Sequence, residues 1–149
     1  MVSPSLRILI PVDGAESSTR AVKHVVGLKN KLRQKLEVLL VNVQPPVPMK
    51  ELLFDSRLSE LHRLEDPLKA HGAKLLAAAG AELKAAGIEC QPHVEIGEPA
   101  PVIAAFARTH HCEMIVMGTH GLGPLAGLCF GSVANKVVHL SPVPVLLVP

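Results

Sequence analysis

The chain has 149 residues, of which 48% are hydrophobic and 19% are charged. This length and composition predict one globular domain and exclude an intrinsically disordered chain. The sequence contains no Trp, no Tyr and three Phe, and its formal net charge is +2. It therefore lacks the aromatic platforms and the basic excess with which proteins bind nucleic acids.

Neither membranes nor disulfide bonds are indicated by the sequence. No apolar run approaches the roughly 20 residues of a membrane span, and residues 1–7 do not resemble a signal peptide. The cysteines Cys90, Cys112 and Cys129 lie far apart and form no CxxC pair, so neither a zinc motif nor a redox motif is supported. An odd number of cysteines without a disulfide framework is typical of a reducing compartment. We therefore expect a cytoplasmic protein that binds neither membranes nor nucleic acids.

Five short apolar segments predict the strands of a parallel sheet, because each is rich in branched residues and is bounded by turn-forming residues. They are residues 7–12, 36–43, 88–96, 114–117 and 143–148. Pro92 in the third segment has no N–H to donate, which predicts that this strand lies at an edge of the sheet.

Four amphipathic segments between these strands predict helices, at about residues 17–32, 67–86, 99–110 and 132–139. Ser17 or Ser18 offers an N-cap to the first helix. Asp66 and Pro67 fit the N-cap and the first helical position of the second. The intervening residues 44–66, which begin with a proline-rich stretch, predict an excursion from the sheet.

The resulting order of alternating strands and helices predicts an α/β domain with a parallel sheet and helices on both of its faces. Ligands of such folds bind beyond the carboxyl ends of the strands, where the strand order changes direction. In this chain the rule points to Asp13, Val43 and Gly118.

A glycine-rich segment, GTHGLGPLAGLCFGS at residues 118–132, joins the fourth strand to the last helix. Glycines let backbone N–H groups approach a phosphate, and the N-terminus of a helix adds a partial positive charge. A surface loop that needs glycine only for its turns explains this composition equally well. The P-loop pattern GxxxxGK[ST] is absent, and the spacing of the glycines does not fit GxGxxG.

Four motifs together resemble the universal stress protein family over nearly the whole chain. They are ILIPVDGAESS at residues 8–18, GEP at 97–99, IVMGTHG at 115–121, and GSVANKVV at 131–138 followed by SPVPV at 141–145. Gly118, Gly121, Gly131 and Ser132 also match the pattern Gly-x2-Gly-x9-Gly-Ser/Thr of the nucleotide-binding members of that family.

This resemblance implies one domain over residues 1–149, with a Rossmann-like, open five-stranded sheet in the order 3-2-1-4-5. It implies a stress-response regulatory protein that binds ATP, or AMP or ADP, together with Mg²⁺, and that forms a homodimer through the strand at 143–148. By position in the family motifs, the nucleotide site comprises Pro11, Val12, Asp13, Val43, Met117, Gly118, Gly121, Gly131, Ser132 and Val133. Asp13 would lie near the ribose or the metal ion, and the backbone of Val43 would contact the adenine edge.

One segment departs from the pattern of the binding members, because residues 122–127 carry no charge and Pro124 lacks an N–H. Charge-assisted contacts to phosphate would be missing there, and efficient phosphoryl transfer is not expected. Two alternatives therefore stay open. One is a dimeric interaction module of the same family that does not bind nucleotide, and the other is an enzyme that cleaves nucleotides, at most slowly.

Several other residues invite a functional interpretation, but a structural role is the simpler one. His120 would contact a phosphate or act as a base, or lie exposed in a loop. His110 and His111 are adjacent at a helix end and lack a third metal ligand nearby in sequence. Cys129 is better explained as an inert thiol than as a redox centre, and Asn42 as a hydrogen-bonded structural residue. For Asp13, by contrast, a functional role is favoured, because it lies at the edge of the sheet where ligands are expected to bind. An Asp-Gly pair also forms turns, which is the structural alternative.

Overall fold

The structure is a computed structural model that describes residues 4–46, 61–120 and 130–149. Most of the excursion predicted at residues 44–66 and most of the glycine-rich segment lie outside these ranges. Gly121 and Cys129 are among the residues that are not described.

Five parallel strands form one sheet in the order β3-β2-β1-β4-β5. Their bounds are β1 Leu6–Pro11, β2 Leu36–Gln44, β3 Glu89–Ile96, β4 Met114–Gly118 and β5 Val145–Val148. The predicted fold class and strand order are confirmed. Pro92 lies in β3, an edge strand, as its missing N–H predicted. β5 is two residues shorter than predicted, because Ser141 and Val143 form a turn in which the Val143 N–H donates to the Ser141 Oγ (3.1 Å).

Four described helices connect the strands: α1 Glu16–Lys29, α2 Leu61–Ala85, α3 Pro99–Thr109 and α4 Ser132–Leu140. α1 and α2 cover one face of the sheet, and α3 and α4 cover the other. Within the described part of the chain, no helix is both long enough and apolar enough to cross a membrane.

Two apolar layers hold these helices on the sheet, because alternate residues of each strand face opposite sides. The layer under α1 and α2 contains Ile8, Ile10, Val38 and Leu40 with Val22, Val25, Leu76 and Leu83. The layer under α3 and α4 contains Leu9, Leu39, Val41 and Ile115 with Ile103, Phe106 and Val137. Leu9 and its neighbours Ile8 and Ile10 are fully buried, as expected for a central parallel strand covered on both faces.

The predicted start of α1 is wrong. The helix begins at Glu16 with Ala15 as its N-cap, and no side chain caps it. The Ser17 hydroxyl donates to the His120 carbonyl, and the Ser18 hydroxyl donates to the Ala15 carbonyl (2.8 Å). Both serines are buried inside the first turn, where Ser17 connects the helix to His120 and Ser18 bonds back to the N-cap residue, so neither begins the helix.

The predicted start of the second helix is also wrong. Pro67 lies inside α2, seven residues into the described helix, and not at its first position. A proline within a helix removes one backbone hydrogen bond. The later turns of α2 bury Leu76 and Leu83 against the sheet, and this packing outweighs the local preference for a helix start at Asp66 and Pro67.

A small aromatic cluster joins the edge strand β3 to α3. The rings of Phe106 and His110 stack with their centroids 3.8 Å apart, and His93 meets Phe106 edge-on at 5.0 Å. The His93 Nε2 is buried and has no hydrogen-bond partner among the described residues. Burial lowers the pKa of His93, and the neighbouring His110 lowers it further, whereas Glu95 raises it. His93 is therefore stabilised as the neutral imidazole.

This geometry predicts that the folded protein loses stability in mild acid. The pKa of His93 in the folded state lies below its unfolded value of about 6.5, so unfolding takes up a proton as the pH falls. The contribution of the neutral ring to stability is complete above about pH 6.5 and decreases below it. Urea unfolding at about pH 8 and about pH 5.5 measures the free energy of unfolding at each pH. Its decrease from the higher to the lower pH should be larger for the native chain than for His93→Gln, whose side chain cannot take up a proton. Equal losses in the two proteins would contradict the assignment.

Candidate functional site

A cavity of about 600 Å³ opens at the carboxyl ends of β1, β2 and β4, where the strand order changes direction. Nine of the ten site residues predicted from the sequence line it: Pro11, Val12, Asp13, Val43, Met117, Gly118, Gly131, Ser132 and Val133. The tenth, Gly121, lies outside the described residues. The structure thus brings the predicted set together around one cavity, and their contact with a nucleotide stays a prediction.

The walls of the cavity come from all four described helices. Ser17 and Ser18 belong to the first turn of α1, Pro99 to that of α3, and Ser132 to that of α4. The N-terminal ends of three helices therefore meet at one place, and each carries a partial positive charge. α2 contributes from its interior and closes the side above β2 with Leu75.

At the end of β2, backbone groups of Val43 face the cavity. The pairing of β1 with β2 ends at Pro11 and Val41, and the Val12 N–H donates to the Val41 carbonyl (2.8 Å). Val43 lies two residues further along, so its N–H and C=O point to the same side as those of Val41. Because β1 has ended, that side is the cavity. Val43 therefore presents a donor and an acceptor side by side, a pattern complementary to the amino group and ring nitrogen of adenine.

Two buried polar side chains fix the ends of β1 and β2. The Asn42 Nδ2 donates to the Val12 carbonyl (2.8 Å), and the Gln44 Nε2 donates to the Asn42 Oδ1 (2.7 Å). Gly72 of α2 lies directly above them, since a Cβ there would be 2.7 Å from the Asn42 Oδ1. Asn42 is thus a hydrogen-bonded structural residue, as predicted.

Asp13 has an observed structural role at the cavity edge. Its Oδ1 accepts a hydrogen bond from the Ala15 N–H (2.9 Å) and so closes the turn before α1. Gly14 within this turn has a φ of 85°, and a Cβ on it would lie 2.9 Å from the Leu75 Cδ2. The positive φ is the reason that glycine is favoured there, since the end of the flexible Leu75 side chain can move aside. The Asp-Gly turn is therefore present, and contact of Asp13 with a ribose or a metal ion stays a prediction.

The histidines singled out in the sequence occupy ordinary structural positions. His120 is exposed, lines the cavity, and has its Nδ1 2.8 Å from the Thr119 Oγ1. The His110 Nδ1 lies 3.0 Å from the Phe106 carbonyl oxygen at the end of α3. His111 follows with a φ of 52°, in the turn to β4. Across residues 4–46, 61–120 and 130–149, no group of three or more His, Cys, Asp or Glu could hold a metal ion.

Sequence reasoning missed several lining residues, namely Ser17, Ser18, Gln44, His71, Leu75 and Ile103. Gln44 was detectable, because Asn42 and Gln44 are polar and alternate on one face at the end of a strand that is apolar from Val38 to Val41. The residues of α2 were not, because nothing local to residues 71–75 indicates which turn of a long helix lies above the end of β2.

A family model for the universal stress protein family matches residues 5–149. The chain belongs to the universal stress protein family. The universal stress protein YxiE of Bacillus subtilis is 28% identical and spans 95% of this chain and 97% of its own length. A universal stress protein of Thermus aquaticus, from the 3′ region of the QAH/OAS sulfhydrylase gene, is 34% identical. It spans 95% of this chain and 96% of its own length.

Solved structures share the fold of this universal stress protein. That of MJ0577, from Methanocaldococcus jannaschii, gives a TM-score of 0.81 at 28% identity and covers 96% of this chain and 94% of that one. More distant structures, at 18–24% identity and TM-scores of 0.66–0.69, hold nucleotides. They are a universal stress protein in complex with cAMP, one from Arabidopsis thaliana with AMP bound, and one from Archaeoglobus fulgidus in complex with dAMP. They cover 96–100% of this chain and 90–100% of their own.

Gly118 at the end of β4 is required for the packing of α1. A Cβ on this residue would lie 2.6 Å from the carbonyl carbon of Ser17, which is backbone and cannot move aside without shifting the helix. We expect Gly118→Ala to lower the free energy of unfolding by about 1–3 kcal/mol, the usual cost of overpacking. Urea unfolding measures the change.

Gly27 provides the matched control. It lies in α1, and a Cβ added to it would have no other atom within 4 Å, so Gly27→Ala should raise the stability by about 0.5–1 kcal/mol. Equal effects of the two substitutions would show that close packing does not explain the glycine at position 118.

Proposed function

We propose that this universal stress protein binds an adenine nucleotide in the cavity and acts, as a homodimer in the cytoplasm, as a regulatory protein of the stress response. The observation that carries the proposal is that one cavity has complementary groups for both ends of such a ligand. The Val43 backbone pair lies on one side of the cavity, and the N-terminus of α4 lies on another. The AMP, dAMP and cAMP held by distant structures of the same fold support the same class of ligand.

The base would lie at the end of β2. The Val43 N–H would donate to a ring nitrogen of adenine, and the Val43 carbonyl would accept from its amino group. Val12 and Met117 line the cavity beside this position, and both are at most 6% exposed. They give the base an apolar surface, and specificity comes from the backbone pair.

The phosphate would lie at the start of α4. The Gly131 N–H donates to the Thr119 carbonyl (2.6 Å), and the first hydrogen bond of the helix runs from the Asn135 N–H to the Gly131 carbonyl (3.0 Å). The N–H groups of residues 132–134 therefore have no partner within the helix. No side chain caps this end, since the N-cap is Gly131 and Ser132 is already helical. The Ser132 hydroxyl is thus available to a phosphate oxygen.

The proposed adenine nucleotides include ATP, bound together with Mg²⁺. The Asp13 carboxylate is the group in the described lining that suits Mg²⁺, which proteins commonly bind through one or two carboxylates together with the phosphates of a nucleotide. No Lys or Arg is among the described lining residues, and stabilising the transition state of phosphoryl transfer requires such charges. Hydrolysis, if it takes place, would therefore be slow.

The homodimer would form along β5, the exposed edge of the sheet. The Ile115 N–H donates to the Pro144 carbonyl (2.9 Å), so by alternation the backbone groups of Val145 and Leu147 point away from β4. Val138 and Leu140 of α4, near this edge in sequence, are each 47% exposed. An uncovered edge strand with apolar surroundings is suited to pairing with a second copy.

Ligand binding can be tested with the protein purified without added nucleotide. With no Trp and no Tyr, bound adenine would dominate its ultraviolet spectrum, and calorimetric titration would give the affinity. We expect Gly131→Val to weaken binding at least about tenfold, because branched carbons would occupy the phosphate position. The backbone at Gly131 (φ −65°, ψ 160°) accepts a valine, so the variant should fold.

The same substitution at Gly27, in open space on α1, is the control and should leave the affinity unchanged. Native affinity in a folded Gly131→Val variant would contradict the position of the site. No binding by the native chain would contradict nucleotide binding altogether and favour the interaction module.

The dimer is tested by replacing both Val145 and Leu147 with Lys, which places charges on the edge strand β5, on its face toward α3 and α4. We expect the variant to sediment as a monomer, because an edge that carries lysines does not pair with another strand. Leu32→Lys, a change at an exposed apolar residue outside α4 and β5, should leave the dimer intact. A folded double variant that still sediments as a dimer would refute this interface.

A further inference from the structure

Building on the proposed function, we infer that Asn42 is a positioning residue for the base of the nucleotide. Its side-chain amide occupies the Val12 carbonyl, the group that would otherwise accept from the Val43 N–H. Because that acceptor is occupied, the Val43 N–H stays available to a ring nitrogen of adenine. The hydrogen bonds that support this role lie at the ends of β1 and β2, within the described residues.

The pairing of β1 with β2 stops one hydrogen bond early. In a parallel ladder, a residue that donates to one carbonyl of its neighbour accepts from the residue two positions further along that neighbour. The Val12 N–H donates to the Val41 carbonyl (2.8 Å), so the next bond would run from the Val43 N–H to the Val12 carbonyl. That bond would extend the ladder beyond its last pair, Pro11 with Val41. The ladder therefore ends although Val12 still lies beside β2.

A side chain supplies the donor that the backbone does not. The Val12 carbonyl accepts from the Asn42 Nδ2 at 2.8 Å. Asn42 is 3% exposed and Val12 is 6% exposed, and polar groups buried to this extent are almost always hydrogen-bonded. A residue that cannot donate at position 42 would leave this carbonyl without its partner. The donor that the ladder pattern places nearest to it is the Val43 N–H, which would then be withdrawn from the cavity.

The other edge of β2 keeps its end in the extended conformation. The pairing of β2 with β3 runs to Gln44 with Ile96, and the Gly97 N–H donates to the Gln44 carbonyl (2.9 Å). Val43 is therefore held as part of a strand, with its N–H directed to the side that β1 has left. Since β3 fixes the position of Val43, the acceptor that its N–H meets depends on the state of the Val12 carbonyl.

The orientation of the Asn42 amide is fixed by its neighbours. The Gln44 Nε2 donates to the Asn42 Oδ1 (2.7 Å), so rotating the Asn42 amide by half a turn would bring two donors together on one side. The same rotation would set the Asn42 Oδ1 against the Val12 carbonyl, two acceptors without a proton between them. Gly72 of α2 packs over the amide, since a Cβ there would lie 2.7 Å from the Oδ1. The amide is thus held with its Nδ2 toward Val12.

Nuclear magnetic resonance of the nucleotide-free protein tests the exchange of donors, because scalar couplings across hydrogen bonds connect a donor nitrogen with the acceptor carbonyl carbon. In the native chain we expect the Asn42 Nδ2 to couple to the Val12 carbonyl and the Val43 nitrogen not to. In Asn42→Val, whose side chain suits a strand and cannot donate, the coupling of Val43 to Val12 should appear. This coupling in the native chain, or its absence from the folded variant, would overturn the inference.

Calorimetric titration with AMP and with its 1-deaza and 7-deaza analogues, each lacking one ring nitrogen, tests the effect on the base. One analogue should bind the native chain at least about fivefold more weakly than AMP, because it cannot accept from Val43. In Asn42→Val this ratio should fall to within about twofold of one, because the donor is withdrawn from both ligands.

A merely structural role of Asn42 would weaken all three ligands equally and leave the ratio at its native value, which would overturn the inference. Tight binding of AMP and both analogues to the native chain would also overturn it and leave nucleotide binding intact. Failure of the native chain to bind AMP would overturn the proposed function as well.

Ser141→Ala is the matched control. The Ser141 Oγ donates to the Val143 carbonyl (2.6 Å) in the turn before β5, so this variant also removes a side-chain donor from a backbone carbonyl. Ser141 follows the C-terminal end of α4 and is not part of the described cavity lining. We expect the substitution to leave the ratio of AMP to analogue affinity unchanged. A ratio that falls equally in Ser141→Ala and Asn42→Val would overturn the role of Asn42.

Discussion

The end of β1 is the constraint on which the rest of the structure depends. This strand is central in the sheet, and its residues Ile8, Leu9 and Ile10 are fully buried between the two helical layers. β2 continues three residues past the last β1 pair, Pro11 with Val41. Because β1 stops first, a gap opens beside β2, and the chain leaves it through the Asp13-Gly14 turn into α1. The gap and its exposed backbone groups follow from that one difference in length, whereas the helix starts meet there because the strands are parallel and each helix follows the carboxyl end of a strand.

The sequence predicted the architecture well because the architecture depends on patterns that extend over whole elements. The alternation of apolar strands and amphipathic helices indicated a parallel α/β sheet, and Pro92 indicated that β3 is an edge strand, as it is. The wrong predictions, which concerned the starts of two helices, came from single residues interpreted only from their local sequence. Ser17 has the chemistry of a helix cap, yet its hydroxyl is used by the His120 carbonyl from the other side of the cavity. Pro67 has the form of a helix start, yet the apolar contacts of α2 further along the helix determine where it lies. In both cases a distant contact outweighed a local preference.

The residues of the candidate site were predicted from sequence motifs. For several glycines in these motifs, the structure shows why the position is occupied by glycine, which the motif alone does not explain. Gly118 is small because α1 passes close to β4, whereas Gly14 is favoured by its positive φ. Gly72, which no motif included, is small because it lies over Asn42. Gly118 and Gly72 permit the close approach of helices to the strand ends, and this approach shapes the cavity. Leu75 of α2, which sequence reasoning missed, lies in these close contacts. It can be identified only when α2 has been placed on the sheet.

A cavity built from backbone groups places few demands on side-chain identity. The donor and acceptor at Val43 belong to the main chain, as do the three N–H groups at the start of α4, and any non-proline residue supplies them equally well. The choice of side chain is constrained at the positions where helices and strands approach closely and at those where a strand must end. This fits a family in which relatives 28% and 34% identical match over 95% of the chain, and in which a structure only 28% identical reaches a TM-score of 0.81.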